Sequence, residues 1–578
     1  KNVATTTLTI DGGALSLSNG ARLVHYNYDG QSGVTTGMDV TMKSGSLAVD
    51  GSSAYTSMDV NTARIEGGTV ELTGKSGTPW HNAAYIGAYK GMDITGGTVN
   101  MNVNSELFAG DHLSITGGTI NMKGGSTGSG FDDNAAHIMF TSENTIGGTA
   151  VINVDAGKYG VMSAPTLDMT GGKLNVNGNL LLQPNTGARG DSVVYDGSAA
   201  DGKSGVFNLS SGDVTVAKSG ALYAPYTQIN QEGGTLTVNG TLWTEKPDGS
   251  ADGAVDNFSY TNSGYSLSDG KLVVKGDASV NNGGHGQLNG DMQVGNLEIS
   301  GGTVEIGLAE GGSVTAWENG PRLGGYGVNN ESRTNISGGT VTLGNSGVLF
   351  AGVEAWKSGE SGQMNLSGDA KIVMDGTDSV LYASSSGDAA HFVSLNISDN
   401  AGITVNANKA GYILARETNM SGGSVEVAGA LTVAGGSKTG GTVDAGFTGV
   451  TTGGAFNLSG GAITVADKGK LNFATGKVNA TLTGGSVTYN GGADGQLAFH
   501  GLTLAGGALN GVDSLTVDSS AAPKGVSASA LTVGSNAAKA DLTLATLTQK
   551  TGAVAVNNGS LTVDSLNQSG GTLTVGGA

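Results

Sequence analysis

Leu113-Ser-Ile-Thr-Gly-Gly-Thr-Ile-Asn-Met122 decides how this chain folds. Apolar and polar residues alternate, a glycine pair interrupts them, and the alternation resumes after a threonine. Alternation at period two marks a strand with one buried side, and a glycine pair marks a tight corner. The same phrase returns as Met92-Asp-Ile-Thr-Gly-Gly-Thr-Val-Asn-Met101 and as Leu297-Glu-Ile-Ser-Gly-Gly-Thr-Val-Glu-Ile306. A unit this short cannot bury its own apolar side, so copies must stack on one another.

Corners of the same kind recur along the chain, as at Gly67-Gly68, Gly171-Gly172, Gly338-Gly339 and Gly484-Gly485. Tight intervals run 18 to 24 residues and loose ones 29 to 40. The tight interval fits one rung of about three short strands, and the loose one a rung with an inserted loop. A second phrase follows many corners: Leu107-Phe-Ala109, Leu222-Tyr-Ala224, Leu349-Phe-Ala351, Leu381-Tyr-Ala383 and Ile413-Leu-Ala415. The expected fold is therefore all-β, a right-handed parallel β-helix (a β-solenoid) of about three strands per rung and roughly twenty-odd rungs. Two textures divide it. Residues 1–420 carry 25 of the 30 aromatics and most insertions, and residues 421–578 read as a plain, regular stalk.

Composition agrees. Glycine supplies 103 of 578 residues, but only 7 prolines accompany it and no Gly-X-Y period exists, which excludes collagen. A thin core explains why only 37% of residues are hydrophobic. The formal charge is −20 and the basic residues are scattered, which argues against nucleic acid or an anionic membrane as partner. There is no cysteine. In a chain with a surface-like composition, that fits export through a narrow pore, where a disulfide-closed loop would jam.

Candidate sites are few. In the aromatic phrase, Phe108, Tyr223, Phe350 and Tyr382 form an exposed stripe for sugar or a partner if Leu and Ala point inward. A register shifted by one residue stacks them in the core instead. Arg189-Gly190-Asp191 lies in the longest interval between corners and is a known type of receptor ligand when exposed on a loop. Asp248, Asp252 and Asp256 make an oxygen-rich loop and a weak Ca²⁺ candidate, without the spacing of an EF-hand or a calcium-binding β-roll. No metal or cofactor is otherwise expected. Asn208, Asn335, Asn365, Asn396 and Asn457 match the glycosylation sequon, but the repeat itself places them there, in the outward phase.

Catalysis finds little support. His25, His81, His112, His137, His285, His391 and His500 are dispersed, and HExxH, GxSxG, P-loop and CxxC motifs are absent. Asp132-Asp133, in the 124–137 insertion, is the nearest carboxylate pair, yet neighbours on a strand point to opposite sides.

Gly-Gly-Thr rungs, the absence of cysteine, the Ser/Thr/Asn richness and the plain C-terminal segment together resemble the passenger region of Gram-negative type V autotransporters. The likeness includes the self-associating adhesins and the autotransporter-associated β-strand repeats. The resemblance implies surface display or release outside the cell after passage through an outer-membrane barrel, and adhesion by multivalent contact. The implied partners are other copies of the chain, or a host receptor or glycan. The chain opens with Lys1 and stops mid-phrase at Ala578, so a processed start and a removed or absent C-terminal barrel are expected. Two alternatives stay open. One is a structural fibre or matrix subunit assembling end to end, and the other is a polysaccharide-degrading β-helix.

Overall fold

The computed structural model describes residues 7–24, 26–28, 35–76, 83–125, 134–184, 205–244, 263–276, 290–308, 320–327, 333–353, 363–383, 394–435, 454–520 and 524–576. All regular structure among them is β, and the chain forms a parallel β-helix. It divides into two compact units. One comprises Lys1–Val273 and Gly283–Val294, and the other Val274–Asn282 and Gly295–Ala578.

Each rung contributes to three parallel sheets. The leading sheet takes the strand that runs into the glycine corner, the trailing sheet takes the strand that leaves it, and the third sheet takes the aromatic phrase. In the first unit, Leu113 to Ile115 pair in register with Met92 to Ile94, and Thr119 to Met122 with Thr98 to Met101. Leu107 stands between Ile86 and Ile138 in the third sheet. Stacking in register makes like residues meet. One leading-sheet column passes from Ile10 through Met42, Ile65, Ile94, Ile115, Ile146, Met169 and Leu209 to Gln231. In the second unit the corresponding column runs Ile299, Ile336, Leu366, Ile397, Met420, Leu458, Leu482 and Leu504. Each of these aliphatic side chains is essentially fully buried. Each contributes about 1.5–3 kcal/mol from removal of apolar surface from water.

Gln231 is the polar member of its column. Its Nε2 donates to the carbonyls of Gly234 and Lys271, and its Oε1 accepts from the Tyr265 hydroxyl at 2.5 Å. Both side chains are buried, so their polar atoms are satisfied inside the core. Burial pushes the Tyr265 phenol well above its ordinary pKa.

The corner requires glycine for two separate reasons. Gly118 has φ of +77°, and a Cβ placed there would lie 2.7 Å from the backbone of Gly96 in the rung below. The left-handed conformation and the close approach of stacked corners both exclude a side chain.

The longer intervals have a consistent location. Among the described residues up to Leu504, the leading-to-trailing corner carries no insertion. The long intervals of sequence instead adjoin a third-sheet strand in chain order, as between Gln183 and Gly205, Trp243 and Gly264, or Ala434 and Ala455.

Past Leu504 the phrases change sheets. Ala530–Val533 continues the column of Gly501–Leu504, and the next strand in that column is Ala553–Val556, which follows a corner in sequence. Gly552 accordingly packs on the carbonyl of Ser529 rather than on Gly506 or Gly507. Ser514–Val517 pairs on one side with Gly525–Val533 and on the other with Ala540–Gln549, so it sits out of chain order. Within 421–578 the sequence texture is even while the stacking is not.

Candidate interaction surface

On the third sheet, Leu and Ala of the aromatic phrase face inward. Gly160 and Gly411, which share the inward phase of that sheet, lie against Met122 and Met374 of the trailing sheet. Phe108, Tyr223, Phe350 and Tyr382 therefore occupy the outer side, but they do not form the bare stripe that this orientation implied. Phe108 and Phe350 are only 5% and 7% exposed, and Tyr223 and Tyr382 are partly buried. Phe108 clusters with Tyr85 and Met139, flanked by Tyr55 and Tyr89. Phe350 clusters with Val348, Val380, Leu414 and Ala434, flanked by Tyr382 and Tyr412. The Phe350 ring also lies across Gly324 of the neighbouring strand. Around Phe108 and Phe350 the sheet is thus buried on both sides, a combination outside both sequence alternatives.

The same outer side holds titratable groups that the sequence reading did not single out. Asp59, 3% exposed, accepts hydrogen bonds from Ser57 at 2.7 Å and Tyr89 at 3.0 Å and pairs with Arg22 at 3.7 Å. Glu106 and His137 face each other across adjacent strands, each 8% exposed. Simple alternation placed all three in solvent, and no local signal marked them as buried. Among the described residues no group of three or more histidine or carboxylate side chains is arranged to hold a metal. Arg189, Gly190 and Asp191, the aspartates 248, 252 and 256, and Asp132-Asp133 lie outside the described residues.

The polar faces are organised by asparagine. In the second unit, Asn335, Asn365, Asn396, Asn419 and Asn457 stand in one outward column of the leading sheet, above Glu298. Asn365 Nδ2 donates to Asn335 Oδ1 at 2.9 Å, Asn396 to Asn365 at 2.9 Å, Asn419 to Asn396 at 3.2 Å and Asn457 to Asn419 at 2.9 Å. Every donation points toward the preceding rung. In-register strands about 4.8 Å apart hold identical carboxamides at hydrogen-bonding distance, which is the basis of such ladders. Beside the ladder runs a serine column, Ser337, Ser367, Ser398, Ser421 and Ser459. Ser421 and Ser459 donate to carbonyls of the rung below.

The first unit has two such ladders, and a carboxylate accepts the last donation in each. On the trailing sheet, Asn175 donates to Asn153, Asn153 to Asn121, Asn121 to Asn100 and Asn100 to Glu71. On the leading sheet, Asn230 donates to Asn208 and Asn208 to Asp168 at 2.7 Å. The sequon asparagines are thus ladder members. Their recurrence three residues before successive corners was the available signal.

A carboxamide in a ladder uses one N–H and one lone pair on its neighbours and keeps one of each for the outside. The five-asparagine column is half-buried and uncharged, in a chain whose formal charge is −20. The class of the protein is therefore a parallel β-helix with amide-laddered faces. No protein-family model, curated protein or solved structure matches the chain.

Proposed function

We propose that this chain is a surface-displayed or secreted bacterial β-helical passenger of the autotransporter kind. In this reading it acts as an adhesin through multivalent contact along its polar faces. The observation that carries the reading is the leading-sheet ladder of the second unit. It presents carboxamides at a fixed repeat, flanked by serine hydroxyls, although Asn396 and Asn457 also donate to Ser394 and Glu417. A second copy, or a glycan chain, meets the same group on every rung. Each contact is weak, and avidity comes from their number. Between Glu298 and Glu417 the ladder itself is uncharged, so two acidic copies meet little repulsion along its middle rungs.

The experiment is to replace Asn365, Asn396 and Asn419 together by aspartate and to display both proteins on beads. Clustering of wild-type beads, or their retention on a glycan array, is the expected result. Its loss in the triple variant, with an unchanged circular dichroism spectrum, supports the ladder as the contact face. Equal clustering by a folded triple variant sinks the reading.

A further inference from the structure

One step of the trailing-sheet ladder differs from all the others. Asn100 Oδ1 accepts from Asn121 Nδ2 at 3.0 Å and also from the amine of Lys123, whose Nζ lies 3.2 Å away. On its other side, Asn100 Nδ2 donates to Glu71 Oε2 at 3.0 Å. The second oxygen of Glu71 accepts from Asn102 Nδ2 at 2.6 Å, which fixes the carboxylate against the leaving nitrogen. An amine, a carboxamide and a carboxylate are thus lined up across consecutive rungs, all three half-buried.

We propose that Lys123 and Asn100 are the two halves of a self-forming isopeptide bond, with Glu71 holding the leaving nitrogen. The neutral Nζ attacks Cγ of Asn100, so an Nζ–Cγ bond forms and the Cγ–Nδ2 bond breaks. The proton that the amine gives up ends on Nδ2, which leaves as ammonia, and the Glu71 carboxylate bonded to Nδ2 stabilises the charge that nitrogen gains. The step consumes no oxidant or second reactant. Asn121 Nδ2, which donates to Oδ1 at 3.0 Å, draws electron density from Cγ and stabilises the oxyanion that develops there as the amine attacks. The stacked strands supply the proximity that a bimolecular reaction between an amine and an amide lacks. An amine attacks only in its neutral form, so alkaline buffer favours the step. The product ties two rungs together covalently in a chain that has no cysteine. This inference stands apart from the adhesive reading.

The test is the intact mass of the purified chain, before and after incubation in mildly alkaline buffer. The expected change is loss of one ammonia, about 17 Da, with fragment spectra joining the peptide that holds Lys123 to the one that holds Asn100. Succinimide formation at an Asn-Gly pair costs the same mass, so Lys123→Arg decides between them. That variant, and Glu71→Gln, should keep the full mass while remaining folded by circular dichroism. An unchanged wild-type mass after prolonged incubation overturns the proposal. So does an ammonia loss of equal size in Lys123→Arg.

Discussion

Two stretches of the third sheet, both in the second unit, are built from the same kind of strand and solve different problems. In Val348–Val353, Ser379–Ala383 and Ala410–Ala415, both sides of the strand are apolar, and Phe350, Tyr382 and Leu414 form an outer cluster with Val348 and Val380. In Lys470–Gly476 and residues 496–499 the outer side carries no aromatic and only the small Ala498 is buried there. Lys470 is exposed and Asn472 half-exposed, while Phe473 points inward, 5.1 Å from Phe456 and 5.3 Å from Phe499. The aromatic moves from the outside of the sheet to the inside as the long insertions end. A strand covered on both sides reads as a continuous apolar run, and a strand wetted on one side reads as alternation. The run Val348-Leu-Phe-Ala351 and the alternation Lys470-Leu-Asn-Phe473 carry that difference in plain view.

The comparison breaks most easily at Phe350. Phe350→Ala should cost about 3–5 kcal/mol, because the outer cluster loses a buried ring. The matching outer-side change, Asn472→Ala, loses only exposed hydrogen bonds with Thr475 and should cost about 1 kcal/mol or less. Urea unfolding of the two variants checks both. Similar losses would mean that the outer cluster holds nothing together.

A smaller effect is expected on the leading sheet. Asn396→Ala removes two rungs of the amide ladder, one donated and one accepted, for a loss of about 1–2 kcal/mol. Thermal unfolding measures it, and Asn396→Ser should recover only part, since the hydroxyl does not span two rungs. A neutral result would make the ladder a surface ornament rather than a stabilising one.

The smallest effect is electrostatic and belongs to the later rungs. Hydrogen bonds from the side chain and the backbone of Ser520 hold the Asp518 carboxyl below its ordinary pKa. Thr551 donates to the same oxygen. A depressed folded pKa stabilises above the unfolded value, and that contribution is lost as pH falls through the folded one. Asp518→Asn should therefore lower the melting temperature near neutral pH and leave it unchanged in strongly acidic buffer. A deficit that persists in acid would point to lost geometry rather than lost charge.

The sequence alone specified the strands, the corners and the stacking. Alternation at period two, a glycine at each tight corner and a repeated interval leave few ways to bury a thin core, and these signals are local. The inward column from Ile10 to Leu209 and the outward asparagines could be read from the phrase itself, because in-register stacking turns a repeated position into a column. The outer side of the third sheet could not. Whether Phe108 meets water depends on the neighbouring rungs, where Tyr55, Tyr85, Tyr89 and Met139 pack around it. Nor could the sheet exchange past Leu504, where corner phrases keep their spelling but occupy a different column. Two adjacent registers satisfy the same alternation equally well, and only the packing of whole rungs against each other selects one of them.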